Sequence, residues 1–166
     1  TGRYAIRSGL AWDVVTAQDN HGLPQDEITV AELLREGGYS TGMIGKWHLG
    51  NRREYWPTRH GFESFYGVPH SNDMPDFALY RDEQKIEFSV GQSTLIRCYT
   101  REAIDFIRAN VNSPFFLYLS HTFPHIPLFA SSEFLGRSAA GLYGDVVEEL
   151  DWSAGQIVSA LKSLGL

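Results

Sequence analysis

The chain has one cysteine in 166 residues, Cys98, so no disulfide can close within it. Positive charge is also short, with 14 Lys and Arg against 20 Asp and Glu and a formal net charge of −6. That balance argues against nucleic acid or an anionic membrane surface as the main partner. Long apolar runs are missing: none approaches the ~18 residues of a membrane-spanning helix. No Asn-x-Ser/Thr acceptor occurs, since Asn112 is followed by Ser113 and Pro114. Low-complexity segments are absent too. What remains, 43% hydrophobic and 20% charged, is the composition of one globular domain with a real core. The chain opens on Thr1 and closes just after a helix-end signal at Gly165, so it reads as a piece of a longer polypeptide.

Against that background the local signals are clear. Residues 1–28 have no sustained period, and Gly2, Gly9, Gly22 and Pro24 mark turns. Thr29-Val-Ala-Glu32 has the form of a capping box and opens a first helix, with Ala31, Leu33 and Leu34 as its apolar face and Gly37-Gly38 as its stop. Thr41 to Ile44 reads as a short buried strand. Residues 51–93 read mainly as loop, with short strands near Ala78 to Tyr80 and Lys85 to Phe88. Its aromatics, among them Tyr55, Trp56, Phe62, Phe65, Tyr66 and Phe77, imply that it packs down. Thr94 to Val111 carries Leu95, Cys98, Tyr99, Ala103, Phe106, Ile107 and Val111 at helical spacing, which makes Cys98 a core residue rather than a nucleophile. Phe115 to Ser120, six residues bounded by turn signals, has the pattern of a central strand covered on both faces. Tyr143 to Leu164 forms a third helix, with Glu148, Glu149 and Asp151 on a solvated acidic face opposite Val146, Val147, Leu150, Ile157, Val158, Leu161 and Leu164.

The order helix, strand, insertion, helix, strand, helix implies an α/β fold with a mainly parallel sheet flanked by helices. In such sheets ligands bind beyond the carboxyl ends of the strands. Lys46 and His48 follow one predicted strand. On extended backbone residues two apart face the same way, so a cation and an imidazole would look into one space with Trp47 turned opposite. His121 and His125 follow the other strand, and Pro124 and Pro127 restrict the backbone around His125. Such groups suit an anionic substrate whose reaction moves a proton. Arg52, Arg53 and Arg59 make the stretch after Lys46 locally basic, which fits either an anion-attracting patch or a solvated face.

Gly38 to Gly50, GYSTGMIGKWHLG, resembles the second signature of the sulfatase family, a Gly-Tyr…Gly-Lys…His arrangement. Thr1-Gly-Arg-Tyr4 resembles the tail of that family's first signature, where a Cys-x-Pro-Ser-Arg element is followed by Leu-Thr-Gly-Arg. His60-Gly-Phe62, His70-Ser-Asn-Asp-Met74, Phe115 to Pro127 and Tyr143 to Asp151 resemble later arylsulfatase segments in the same order. The resemblance covers essentially the whole chain. It implies an alkaline-phosphatase/sulfatase-like fold that is incomplete here, residues 1–166 being a partial catalytic domain with exposed strand edges and poor independent stability. It implies a sulfuric ester hydrolase in which Lys46 neutralises sulfate oxygens, His48 acts on the hydrated aldehyde nucleophile to release sulfate, Ser71 contacts substrate, and His125 helps the leaving group depart; His121 is given a structural role. The family's formylglycine nucleophile, its calcium ligands and a second active-site Lys would all fall outside this chain, which leaves no metal ligand within it. The implied partners are a small-molecule or glycan sulfate ester and the remainder of the catalytic domain. Secreted, lysosomal and periplasmic settings all fit the family. Two alternatives stay open: a metal-dependent phosphatase or phosphonate hydrolase of the same architecture, and a non-catalytic sulfate- or glycan-binding module.

Overall fold

Thr29 ends the irregular opening segment by closing a reciprocal cap. Its hydroxyl accepts from the Glu32 N–H at 3.1 Å, and the Glu32 carboxylate accepts from the Thr29 N–H at 2.7 Å. Such a cap is worth about 1 kcal/mol and sets the start of α1, Val30–Glu36. The computed structural model describes residues 1–87 and 91–166, with the backbone alone at Glu87; the predicted strand residue Phe88 lies outside the described residues. After α1 come β1 (Ser40–Lys46), β2 (Ser64–Val68), β3 (Leu79–Arg81), β4 (Gln84–Glu87), α2 (Leu95–Ala109), β5 (Phe115–Ser120) and α3 (Gly141–Ser163). The sheet runs β4-β3-β2-β1-β5. β1 is parallel to both β2 and β5, and β3 and β4 extend the sheet antiparallel.

Period-2 alternation divides the core in two. Ile44, Tyr66 and Val68 face α2 and α3, where they meet Leu95, Ile96, Tyr99, Ala103 and Val146. Met43 and Phe65 face the other side, against Ala31 of α1, Leu23 of the opening segment, and Trp47, Trp56 and Phe62. At the sheet centre β1 and β2 tolerate no side chain at two positions. A Cβ on Gly67 would lie 1.9 Å from the Gly45 carbonyl oxygen, and one on Gly45 would lie 1.8 Å from that of Ser120.

Five expectations are corrected. β2 is a strand inside the stretch that reads as loop; Gly67 within it and Pro69 just after it look like turn signals, but Gly67 is there for the close approach to Gly45. β5 is an edge strand rather than a doubly covered one: among the described residues it pairs only with β1, and Tyr118 is 45% exposed. Leu33 is 58% exposed, so the apolar face of α1 reaches the core through Ala31. Glu149 is not on a solvated face. It is fully buried, because its Oε2 accepts the Ser131 N–H at 2.9 Å and its Oε1 lies 3.5 Å from Arg97 Nε. Conversely Val147 and Val158, assigned to the apolar face, are exposed. Asp145, one turn earlier and also buried, accepts from the N–H groups of Gly136, Arg137 and Ser138; those bonds hold its carboxyl below the usual range. The two carboxylates thus fasten to α3 the loop that follows β5.

Candidate functional site

Because β1, β2 and β5 run parallel, their carboxyl ends open on one side of the sheet. β1 delivers Lys46 and His48, β2 delivers His70 and Ser71, and β5 leads into the turn bearing His125. Lys46 Nζ donates to Ser71 Oγ at 3.1 Å, and Ser71 Oγ lies 3.4 Å from His125 Nδ1. Three of the four residues singled out from the sequence therefore form one polar line. His48 sits in the electrostatic field of Lys46, His70 and His125 and contacts a different partner, the carbonyl of Val15.

The route by which His48 arrives differs from strand alternation. Trp47 and His48 both donate their backbone N–H to the end of β2, to Val68 and to Pro69 just beyond it, at 3.0 Å each. Consecutive donors towards one neighbour cannot occur on a regular strand, so β1 has ended at Lys46. His48 then adopts φ 61°, in the left-handed region. Trp47 turns the other way and is buried, its indole N–H donating to the Tyr55 carbonyl at 2.7 Å.

Backbone carbonyls fix the histidine tautomers. A carbonyl can only accept, so the His48 Nε2 at 3.0 Å from Val15 O carries the proton and leaves Nδ1 with a lone pair when the ring is neutral. Burial, the nearby Lys46 charge, and the smaller fields of His70 and His125 push the His48 pKa down, against the opposing effect of the Val15 bond. His125 Nδ1 lies 2.5 Å from the carbonyl of Ile126, which leaves its Nε2 for a ligand. His70, buried, donates from Nδ1 to the Ser71 carbonyl at 3.1 Å, and burial lowers its pKa. Lys46 is half-buried; desolvation lowers its pKa and the Asp73 carboxylate partly restores it. The Asp73 carboxyl is itself held low, first by the Ser71 hydroxyl.

His121, in contrast, leaves the site. It turns under the helices, where its Nε2 lies 3.2 Å from Ser153 Oγ and its ring packs 6.0 Å from Tyr99. Arg59 pairs with Glu83 at 2.6 Å, and Arg52 bonds to Asn20 and lies 3.9 Å from Glu54, so these two cations are engaged away from the site. His70 and Asp73 are site residues that the sequence reading does not single out. Recognising β2 as a strand would have placed both just beyond a carboxyl end.

The residues here do not fit calcium. It takes roughly six to eight oxygen ligands, whereas the strand ends offer an ammonium, imidazoles, one hydroxyl and the Asp73 carboxylate. Among the described residues no group of three or more His, Cys, Asp or Glu could hold a metal ion. Cys98, the family's nucleophile type by chemistry, packs instead into the cluster beneath α2.

A family model described as Sulfatase matches residues 1–166. N-acetylgalactosamine-6-sulfatase of Mus musculus is 38% identical over 191 residues, covering 100% of this chain and 37% of that protein. Steryl-sulfatase of Homo sapiens is 31% identical over 249 residues, again with 100% of this chain but 42% of that protein. The chain thus spans well under half of these relatives. The crystal structure of Ps i-CgsB in complex with k-i-k-neocarrahexaose superimposes with a TM-score of 0.87 at 28% identity, covering 99% of this chain and 43% of that one. These matches lend no support to the phosphatase or binding-module alternatives.

Proposed function

The chain belongs to the sulfatase family, and from that premise we propose that its parent polypeptide hydrolyses sulfate monoesters, these residues supplying the part of the site that holds the anion and moves protons. The observation that carries this reading is the line Lys46–Ser71–His125 across the carboxyl ends of three parallel strands. A sulfate monoester keeps its negative charge throughout the pH range in which proteins are folded. It therefore needs fixed donors aimed at its oxygens as the S–O bond breaks. The Lys46 ammonium supplies one, and its partial burial strengthens the attraction, which at 4 Å in a surrounding of effective dielectric 20 is about 4 kcal/mol. The Ser71 hydroxyl supplies a second. His125 has its Nδ1–H held by the Ile126 carbonyl, so it protonates the departing oxygen from Nε2 as the imidazolium and is left neutral, a step needed when the alcohol is a poor leaving group. His48, neutral and protonated at Nε2, offers Nδ1 as a base.

Calcium and formylglycine, which the family uses, belong on this reading to polypeptide outside these 166 residues, and the isolated chain is inactive. For the substrate we propose a sulfated glycan, supported by the name of the mouse relative and by the oligosaccharide bound to Ps i-CgsB. Steady-state assays of the parent polypeptide on a 6-sulfated amino sugar, a steroid sulfate and phenyl phosphate test both parts. The sulfated sugar should be turned over best, and Lys46→Ala should lower kcat/KM by about 10²–10³-fold. Preference for the phosphate ester, undiminished turnover by Lys46→Ala, or turnover by purified residues 1–166 would each overturn the proposal; preference for the steroid sulfate would overturn the glycan assignment alone.

A further inference from the structure

The turn that carries His125 has little of its own to hold it. Pro124, His125, Ile126 and Pro127 are all exposed. The 3.4 Å separation of Ser71 Oγ and His125 Nδ1 is too long for that contact to act as the anchor. One buried side chain does tie this turn to the Ser71 loop. Asn72, 4% exposed, donates from Nδ2 to the Pro127 carbonyl at 3.1 Å and to Gln92 Oε1 at 2.9 Å. Gln92 returns a bond from Nε2 to the Asn72 carbonyl at 3.2 Å. The orientation of both amides follows from chemistry. The Pro127 and Asn72 backbone carbonyls only accept, so each must face an NH₂ group. Asn72 Oδ1 has no hydrogen-bond partner among the described residues. The donor end alone makes the connection, and a buried acceptor is left unsatisfied to keep it.

Two amides thus lock three segments: the loop after β2, the turn Gln92–Thr94 ahead of α2, and the turn after β5. Asn72 adjoins Ser71, and Pro127 lies two residues beyond His125. We propose that Asn72, braced by Gln92, is a positioning residue that sets the distance between the Ser71 hydroxyl and the His125 imidazole, and so places His125 beside the departing oxygen. This rests on the role given to His125 above. Asp at this position keeps the shape but turns an acceptor towards the Pro127 carbonyl, so it cannot replace the clamp.

The test uses the parent polypeptide and two esters, an alkyl sulfate whose alkoxide must be protonated and 4-nitrophenyl sulfate whose phenolate leaves unaided. Asn72→Ala should lower kcat on the alkyl ester by about 10²-fold, the usual consequence of displacing a catalytic group by an ångström. The loss on the nitrophenyl ester should be far smaller, with KM held. Asn72→Asp should match Asn72→Ala, and Gln92→Ala should show the same pattern, weaker. In a His125→Ala background, Asn72→Ala should add nothing. Equal losses on the two esters, or an undiminished loss without His125, would overturn the proposal. Hydrogen exchange over residues 121–130 is the second readout: Asn72→Ala should accelerate it, and unchanged exchange would refute the clamp. If the wild-type parent turned over neither ester, the functional reading would fail while exchange still decided the clamp.

Discussion

Acid should destabilise this fold through His121, and the size of the effect can be worked from its surroundings. The side chain is enclosed by Tyr99, Ser153 and the Thr100 hydroxyl that bonds Ser153 at 2.7 Å, with no carboxylate against it among the described residues. Burial lowers its pKa from 6.5 to about 4. A basic group depressed in this way stays neutral in the folded protein while the unfolded chain takes up the proton. Stability is therefore intact above pH 6.5 and is lost as the pH falls towards 4. The full loss is about 3 kcal/mol, of which about 2.5 kcal/mol has gone by pH 4.5. His121→Gln keeps a donor for Ser153 but cannot titrate. Calorimetric Tm values of the parent polypeptide and this variant, taken between pH 7 and 4.5, isolate the term. His48, His60 and His70, also lowered by burial, titrate alike in both proteins and cancel. The variant should be the less stable at pH 7 and gain on the wild type by about 2.5 kcal/mol at pH 4.5. A stability gap that stays constant over that range would refute the reasoning.

Other outcomes follow from the geometry. Gly45→Ala, with its Cβ 1.8 Å from the Ser120 oxygen and φ at 109°, should abolish soluble folded protein; a variant with wild-type Tm would contradict the close packing of β1 on β5. Glu149→Ala removes the buried acceptor of the Ser131 N–H and a partner of Arg97, and should cost about 2–4 kcal/mol in denaturant unfolding. Because burial and Lys46 hold His48 neutral below its ordinary range, the acid limb of kcat/KM for the parent enzyme should fall below pH 6.5. An acid limb above that value would exclude His48 as the base.

What was legible in the sequence was mostly local. The Thr29–Glu32 cap is written in four residues, and the helical stripe of α2 needs only its own spacing. The Lys46 and His125 positions followed from strand ends, which short apolar runs mark well. Properties that depend on what lies opposite were not legible. Gly67 looks like a turn residue until the Gly45 carbonyl stands against it. Phe115 to Ser120 is apolar enough for a central strand, and no local feature says that only β1 pairs with it among the described residues. Glu149 lies on what reads as a polar helix face, and its burial is decided by a backbone N–H eighteen residues earlier. The same holds for the clamp: Asn72, Gln92 and Pro127 carry no pattern that joins them.

The histidines show how the fold separates site from core. His48, His70 and His125 each have one ring nitrogen against a backbone carbonyl, from Val15, Ser71 and Ile126. An acceptor that cannot change role fixes the tautomer and leaves the other nitrogen defined in direction and protonation. His121 lacks that arrangement: Thr100 gives its hydroxyl proton to the Ile96 carbonyl, so Ser153 donates to Thr100 and accepts from His121 Nε2, and His121 Nδ1 is left with no partner among the described residues. A core histidine needs only to be neutral, and His121 stays so with its second nitrogen buried and turned away from the strand ends. A histidine that moves a proton must present one known nitrogen, and for that a carbonyl is the better partner. By this criterion His70, buried behind Ser71, groups with His48 and His125 rather than with the core. His70→Gln should therefore disturb the Ser71 loop and activity before it lowers Tm. A loss of stability with activity per folded molecule unchanged would return His70 to the core.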